Sequence, residues 1–253
     1  MYTGPFIPDS TLINGLGRYA GGPSTPLAVV NVQQGLRYRF RIVGASCDPW
    51  FNFTIDGHQM TIIEADGNEV EPVIVDSIPV FAGQRYSVVV NADQPIGNYW
   101  IRALSNHPNQ TFNGGQSSAI LRYAGAPIED PQTEHGPYVL PFDESKLHPL
   151  SGGGAPGVPE PGKADLSINL IPGLNGGKAQ YTINNVTFVE PSLPVLLQIL
   201  SGNQHPTQLL PNGSVYILPP NKTIEISMPA TELTPGGALG GPVSAMNSSM
   251  TSV

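Results

Sequence analysis

The chain has 253 residues, enough for one or two domains with real cores. Its formal net charge is −8, from 19 acidic against 11 basic side chains, which argues against nucleic acid or anionic lipid as a partner. Charged residues are only 12%, and 29 glycines and 27 prolines punctuate the chain, so short strands joined by turns are the natural reading. No apolar run reaches the roughly 20 residues of a membrane helix. The opening MYTGPFIPDSTLING lacks the basic and apolar regions of a signal peptide.

The first clear element is 36–43, LRYRFRIV. Tyr38, Phe40 and Ile42 share one face and Arg37, Arg39 and Arg41 the other, the period of a half-buried strand. Phe51, Phe53 and Ile55 alternate up to Asp56-Gly57, a hairpin turn signal. His58, Met60 and Ile62 alternate on the return. Residues 73–81, 85–91, 97–102 and 118–124 read as further strands. Short strands at this spacing predict an all-β, Greek-key sandwich or barrel over 1–127. Residues 128–162 are rich in Pro, Gly and Ser and read as a linker. Strand patterns resume at 165–171, 179–188, 194–200, 214–218 and 222–228, a second and shorter β domain over 163–242. The tail 243–253 is small, polar and patternless.

Six Asn-x-Ser/Thr sequons start at Asn52, Asn109, Asn185, Asn212, Asn221 and Asn247. They point to a secreted lineage. With no secretion signal in this chain, the expectation is that an N-terminal part is absent. The five histidines, His58, His107, His135, His148 and His205, are scattered, and Cys47 is the single cysteine. No nucleophile elbow, P-loop or dinucleotide-binding glycine pattern is present.

The run CDPWFNFTIDGHQMTIIEADG over 47–67 resembles the middle domain of fungal laccases, which are multicopper oxidases. TLINGLGRY, RYRFRIVGASCDP, VDSIPVFAGQRYSVVVNA, NYWIRA, SAILRY, LPVLLQILSG and TIEISMPA are similar to family segments in family order. The resemblance implies cupredoxin-like β domains: most of the second and part of the third. It implies one-electron oxidation of phenols and aromatic amines, coupled to reduction of O2 to water, in a secreted copper enzyme. The family holds copper on His-x-His pairs and a late His-Cys-His run. This sequence has neither, and after Pro242 it reads VSAMNSSMTSV where the family continues into ligands. The chain is therefore expected to bind no copper and to be inactive alone. The competing expectation is a non-catalytic cupredoxin-like binding or accessory protein.

The resemblance also assigns positions. Asp48 matches a carboxylate at the mouth of the substrate pocket, where it can hydrogen-bond a phenol and accept its proton; a turn Asp before Pro49 is the other reading. Asn106 and His107 match a pocket loop, with His107 standing where relatives often carry Phe. Leu174 matches a further apolar pocket position. Cys47 is implied to be half of a disulfide whose partner lies in the family's first domain, against the other reading of a copper thiolate. His58 is expected to face the core or a backbone carbonyl. His135, His148 and His205 are expected to be structural or solvated.

Overall fold

The computed structural model describes residues 9–47, 50–107, 110–152, 157–158, 160–175, 180–203, 205–210 and 213–228. The chain divides into two units, Met1–Gly152 and Gly153–Val253.

The first unit is a sandwich of two sheets. One has the order β1 (Val29–Val32), β9 (Ser118–Tyr123), β8 (Asn98–Ser105), β3 (Phe51–Ile55), β6 (Ser77–Val80). The other has the order β2 (Arg37–Val43), β7 (Arg85–Asn91), β4 (Met60–Ala65), β5 (Asn68–Val75). Only β1 with β9 is parallel. Successive strands repeatedly cross from one sheet to the other, which is the Greek-key consequence of burying one face of each strand. Met60, Ile62, Val75, Ile78, Val88, Val90, Ile101 and Leu121 meet between the sheets and are at most 2% exposed.

The expected alternation in β2 is present: its arginines are exposed and Tyr38, Phe40 and Ile42 half-buried. These three stop short of full burial because β2 is an edge strand. The stretch expected as one strand over 73–81 breaks at Asp76. Val75 ends β5 in one sheet and Ser77 starts β6 in the other.

Both β5 and β6 are sheet edges, and residues 139–150 run beside them. The Asp76 carboxylate accepts the N–H groups of Val139 (2.5 Å) and Leu140 (2.8 Å). Phe142 N–H donates to the Ser77 carbonyl, Glu71 N–H to that of His148, and Leu150 N–H to that of Glu69. Phe142 is buried edge-on against Tyr86, with ring centroids 5.5 Å apart. Of the stretch expected as a linker, residues 128–152 thus belong to the first unit as a strap that satisfies two open edges.

The second unit pairs β10 (Leu166–Asn169) with β13 (Ile224–Ser227) in parallel, and β11 (Pro172–Asn175) with β12 (Gln180–Ile183) antiparallel. Residues 194–200, expected as a strand, form instead the helix α1 (Val195–Leu200). Pro194 caps its start, Leu and Gln favour helix, and Gly202 at φ 108° follows its end. A second helix, α2, spans Pro206–Leu209. Residues 214–218, also expected as a strand, form no regular element. Among the described residues of this unit only Thr182 and Ile224 are buried.

Candidate functional site

The antiparallel register of β3 on β8 sets Phe51 opposite Ser105. The chain before Phe51 and the chain after Ser105 therefore leave the sheet at the same end. There Trp50 N–H donates to Asn106 Oδ1 and Asn106 N–H donates to the Trp50 carbonyl, both at 3.1 Å. This reciprocal pair ties the segment after Cys47 to the Asn106–His107 loop. Asn106 is exposed, His107 is half-buried, and His107 N–H lies 3.4 Å from Ser105 Oγ. Cys47 is an exposed free thiol. Asp48 lies outside the described residues. Leu174 sits in β11 opposite Tyr181, in the second unit, and is half-buried.

Next to this end lies a cavity of about 610 Å3, lined by Ile13, Phe40, Ile42, Phe51, Phe53 and Ile101 among others. Its walls come from β2 in one sheet and from β3, β6 and β8 in the other. Its size falls within the usual range of small-molecule pockets and its lining is mainly apolar.

Two buried polar clusters hold the turn between β3 and β4. Arg102, on β8, donates from Nε to Asp56 Oδ1 (2.8 Å) and from Nη2 to Asp56 Oδ2 (2.7 Å). Thr133 Oγ1 donates to Asp56 Oδ2 at 2.7 Å, and Arg102 Nη2 donates to the Thr133 carbonyl at 3.1 Å. The guanidinium also lies 4.7 Å from the Phe112 ring centre. Its one sequence clue is an arginine inside the otherwise apolar strand NYWIRA.

The second cluster centres on His58, which is buried as expected, although the predicted hairpin is not formed: β3 and β4 join different sheets, and the turn at Asp56-Gly57 crosses between them. Its Nδ1 is 2.7 Å from the Asp56 carbonyl, which can only accept, so Nδ1 carries the proton. Nε2 is then an acceptor for the Tyr123 hydroxyl at 2.6 Å. Burial pushes the His58 pKa below its usual 6.5, against opposing pulls from the Asp56 carbonyl hydrogen bond and the charges of Asp93 and Asp56. Burial raises the Tyr123 pKa.

Copper needs several His or Cys donors converging on one point. Among the described residues no three His, Cys, Asp or Glu side chains converge. Both ring nitrogens of His58 are engaged by protein partners, and His135 stacks on Phe112 and meets Tyr138 edge-on. The described side chains do not fit a copper centre. Of the sequons, Asn52 is half-buried within β3, while Asn185 (φ 63°) and Asn221 (φ 56°) are exposed in turns. Asn109, Asn212 and Asn247 lie outside the described residues.

The multicopper oxidase family model matches residues 1–126. Laccase-2 of Trametes villosa is 55% identical over 236 residues, covering 92% of this chain and 45% of that protein. Laccase-2 of Pleurotus ostreatus is 54% identical over 235 residues, covering 93% and 43%. The chain belongs to the multicopper oxidase family. It spans a little under half the length of these fungal laccases. The crystal structure of the Botrytis aclada laccase aligns over 81% of this chain and 39% of its own, with a TM-score of 0.63 at 24% identity, a likeness that shows the cupredoxin-like fold alone. No helix among the described residues is long and apolar enough to cross a membrane.

Proposed function

We propose that this chain represents the middle and part of the third cupredoxin-like domain of a laccase-type oxidase, and is inactive alone. In that reading residues 1–127 are the body of the middle domain, 128–152 its strap, 153–162 the connecting segment and 163–242 part of the third domain. The whole enzyme is secreted and oxidises phenols and aromatic amines by one electron while reducing O2 to water. The observation that carries this is the 55% identity sustained over 92% of the chain. Copper serves the whole enzyme as electron acceptor, and this chain supplies surfaces around it.

The substrate-facing residues of this chain are Asp48, Asn106, His107 and Leu174. Supporting Asn106 and His107 is the hydrogen-bonded pair between Trp50 and Asn106, which anchors their loop. Asp48 accepts the phenolic proton, and His107 offers a polar edge where an aromatic side chain is usual. Cys47 is a disulfide half whose partner lies beyond this chain, in keeping with its exposure. The sequon asparagines are glycan acceptors in the secreted protein. The second reading, a copper-free binding module, draws its support from the apolar cavity beside β2.

The test is reconstitution of the 253-residue chain with copper. The expected result is no intense blue band and no oxygen consumption with a phenolic dye. Turnover abolished by a chelator would overturn the reading.

A further inference from the structure

The buried hydroxyl of Tyr123 is unusual in what it faces. Tyr123 is fully buried, and its O–H donates to a neutral imidazole nitrogen whose tautomer is fixed from behind by the Asp56 carbonyl. The hydroxyl oxygen also accepts the Gln94 N–H at 3.2 Å. The hydroxyls of Tyr38 and Tyr216 accept from Gln33 N–H and the Asn184 amide, and two further tyrosines donate to weaker bases. Tyr86 donates to the Glu144 carboxylate at 2.9 Å, and Tyr99 to the Pro95 carbonyl at 2.8 Å. An imidazole is ordinarily more basic than a carboxylate by about two pKa units, a margin that burial of His58 narrows, and an amide carbonyl is not a useful base. Among the described tyrosines Tyr123, 2.6 Å from a neutral imidazole nitrogen, is therefore the phenol best placed to lose an electron and a proton together.

A route from the surface exists. The Tyr99 ring is half-buried, 5.4 Å from the Tyr123 ring and 5.0 Å, edge-on, from the His58 ring, centroid to centroid. Tyr99 can pass an electron outward, but its own hydroxyl faces only the Pro95 carbonyl and solvent, with no side-chain base held against it. The hole settles where the base is.

We propose that the Tyr123–His58 pair, reached through Tyr99, is a redox site that takes one oxidising equivalent from aryloxyl radicals or high-potential metal complexes. The oxidant removes one electron from the Tyr123 ring. The phenolic O–H bond breaks and its proton passes to His58 Nε2, leaving a neutral tyrosyl radical beside an imidazolium. An aryloxyl oxidant becomes an aryloxide and takes its proton from water. The imidazolium keeps its Nδ1–H bond to the Asp56 carbonyl and lies near the carboxylates of Asp93 and Asp56. This site does not depend on copper or on the substrate-facing loops.

The test uses the 253-residue chain, photogenerated tris(bipyridine)ruthenium(III), transient absorption and freeze-quench electron paramagnetic resonance. The unsubstituted chain should yield a long-lived neutral tyrosyl radical whose formation is slower in heavy water. Tyr123→Phe should lower its amplitude at least about tenfold, and His58→Gln, whose amide accepts the hydrogen bond but cannot take the proton, should slow its formation by about tenfold. Tyr99→Phe should slow formation and leave the resonance line unchanged. Wild-type amplitude in Tyr123→Phe, or loss of the signal in Tyr86→Phe instead, would overturn the proposal. So would a formation rate indifferent to heavy water, a readout that needs no variant to fold.

Discussion

Replacing Arg102 by Leu should destabilise the first unit by about 3–5 kcal/mol, the range for removing one partner of a buried ion pair. The side chains of Arg102 and Asp56 are 5% and 4% exposed, so water cannot replace the lost partner. The substitution removes two charge-assisted bonds of 2.8 and 2.7 Å and leaves the Asp56 carboxylate with the Thr133 hydroxyl. The Thr133 carbonyl loses its donor too, and the guanidinium no longer covers Phe112. Whole domains are stable by only about 5–15 kcal/mol, so much of the total is at stake. Urea unfolding followed by tryptophan fluorescence measures the cost, since Trp100 lies beside the pair, 5.9 Å from the guanidinium carbon. The Arg102→Leu/Asp56→Leu double variant should be more stable than Arg102→Leu alone, because no charge is left buried. A single-variant cost below about 1 kcal/mol, or a double variant that simply sums the singles, would refute the reasoning.

Acid should weaken the first unit through His58. Burial holds its folded pKa below 6.5, so the unfolded chain binds the extra proton first. Stability present above pH 6.5 is then lost as pH falls toward the folded pKa. His58→Gln should flatten the change in urea midpoint between about pH 7.5 and 5.5, and an unchanged slope would count against it. Hydrogen exchange should be slow in β4 and β7, whose inward side chains are buried, and fast in β10–β13, where among the described residues little is buried. Equal protection in the two units would contradict that assignment.

Much of the sandwich was legible because it rests on period two. Tyr38, Phe40 and Ile42 against three arginines can mean little else, and Asp56-Gly57 marks its turn. What periodicity cannot show is which sheet a strand joins. The run through Asp76 reads as one strand because both sides are apolar, yet it crosses between sheets there. The strap was hidden for a related reason. Its bonds to the edges run through backbone groups and the Asp76 carboxylate, and Pro and Gly composition looks the same in a free linker. PVLLQIL misled because a short apolar run fits helix and strand alike. The loop pair at Asn106 follows from the Phe51–Ser105 register, a long-range fact that only the family resemblance carried into the sequence.

The turn at Asp56–His58 joins structure to chemistry. The Asp56 side chain binds Arg102, and its backbone carbonyl sets which nitrogen of His58 is protonated. His58 passes that choice to Tyr123 on β9, while Arg102 reaches the strap at Thr133. Gly57, at φ 73°, lets the turn close tightly enough for both. Three residues thus tie β8, β9 and the strap to one turn that crosses between the sheets. Rigidity at this point serves the fold, and it also fixes a 2.6 Å donor–acceptor distance for a proton. Side chains placed for stability can in this way hold a phenol and a base in the arrangement that one-electron chemistry requires, with no metal at that position.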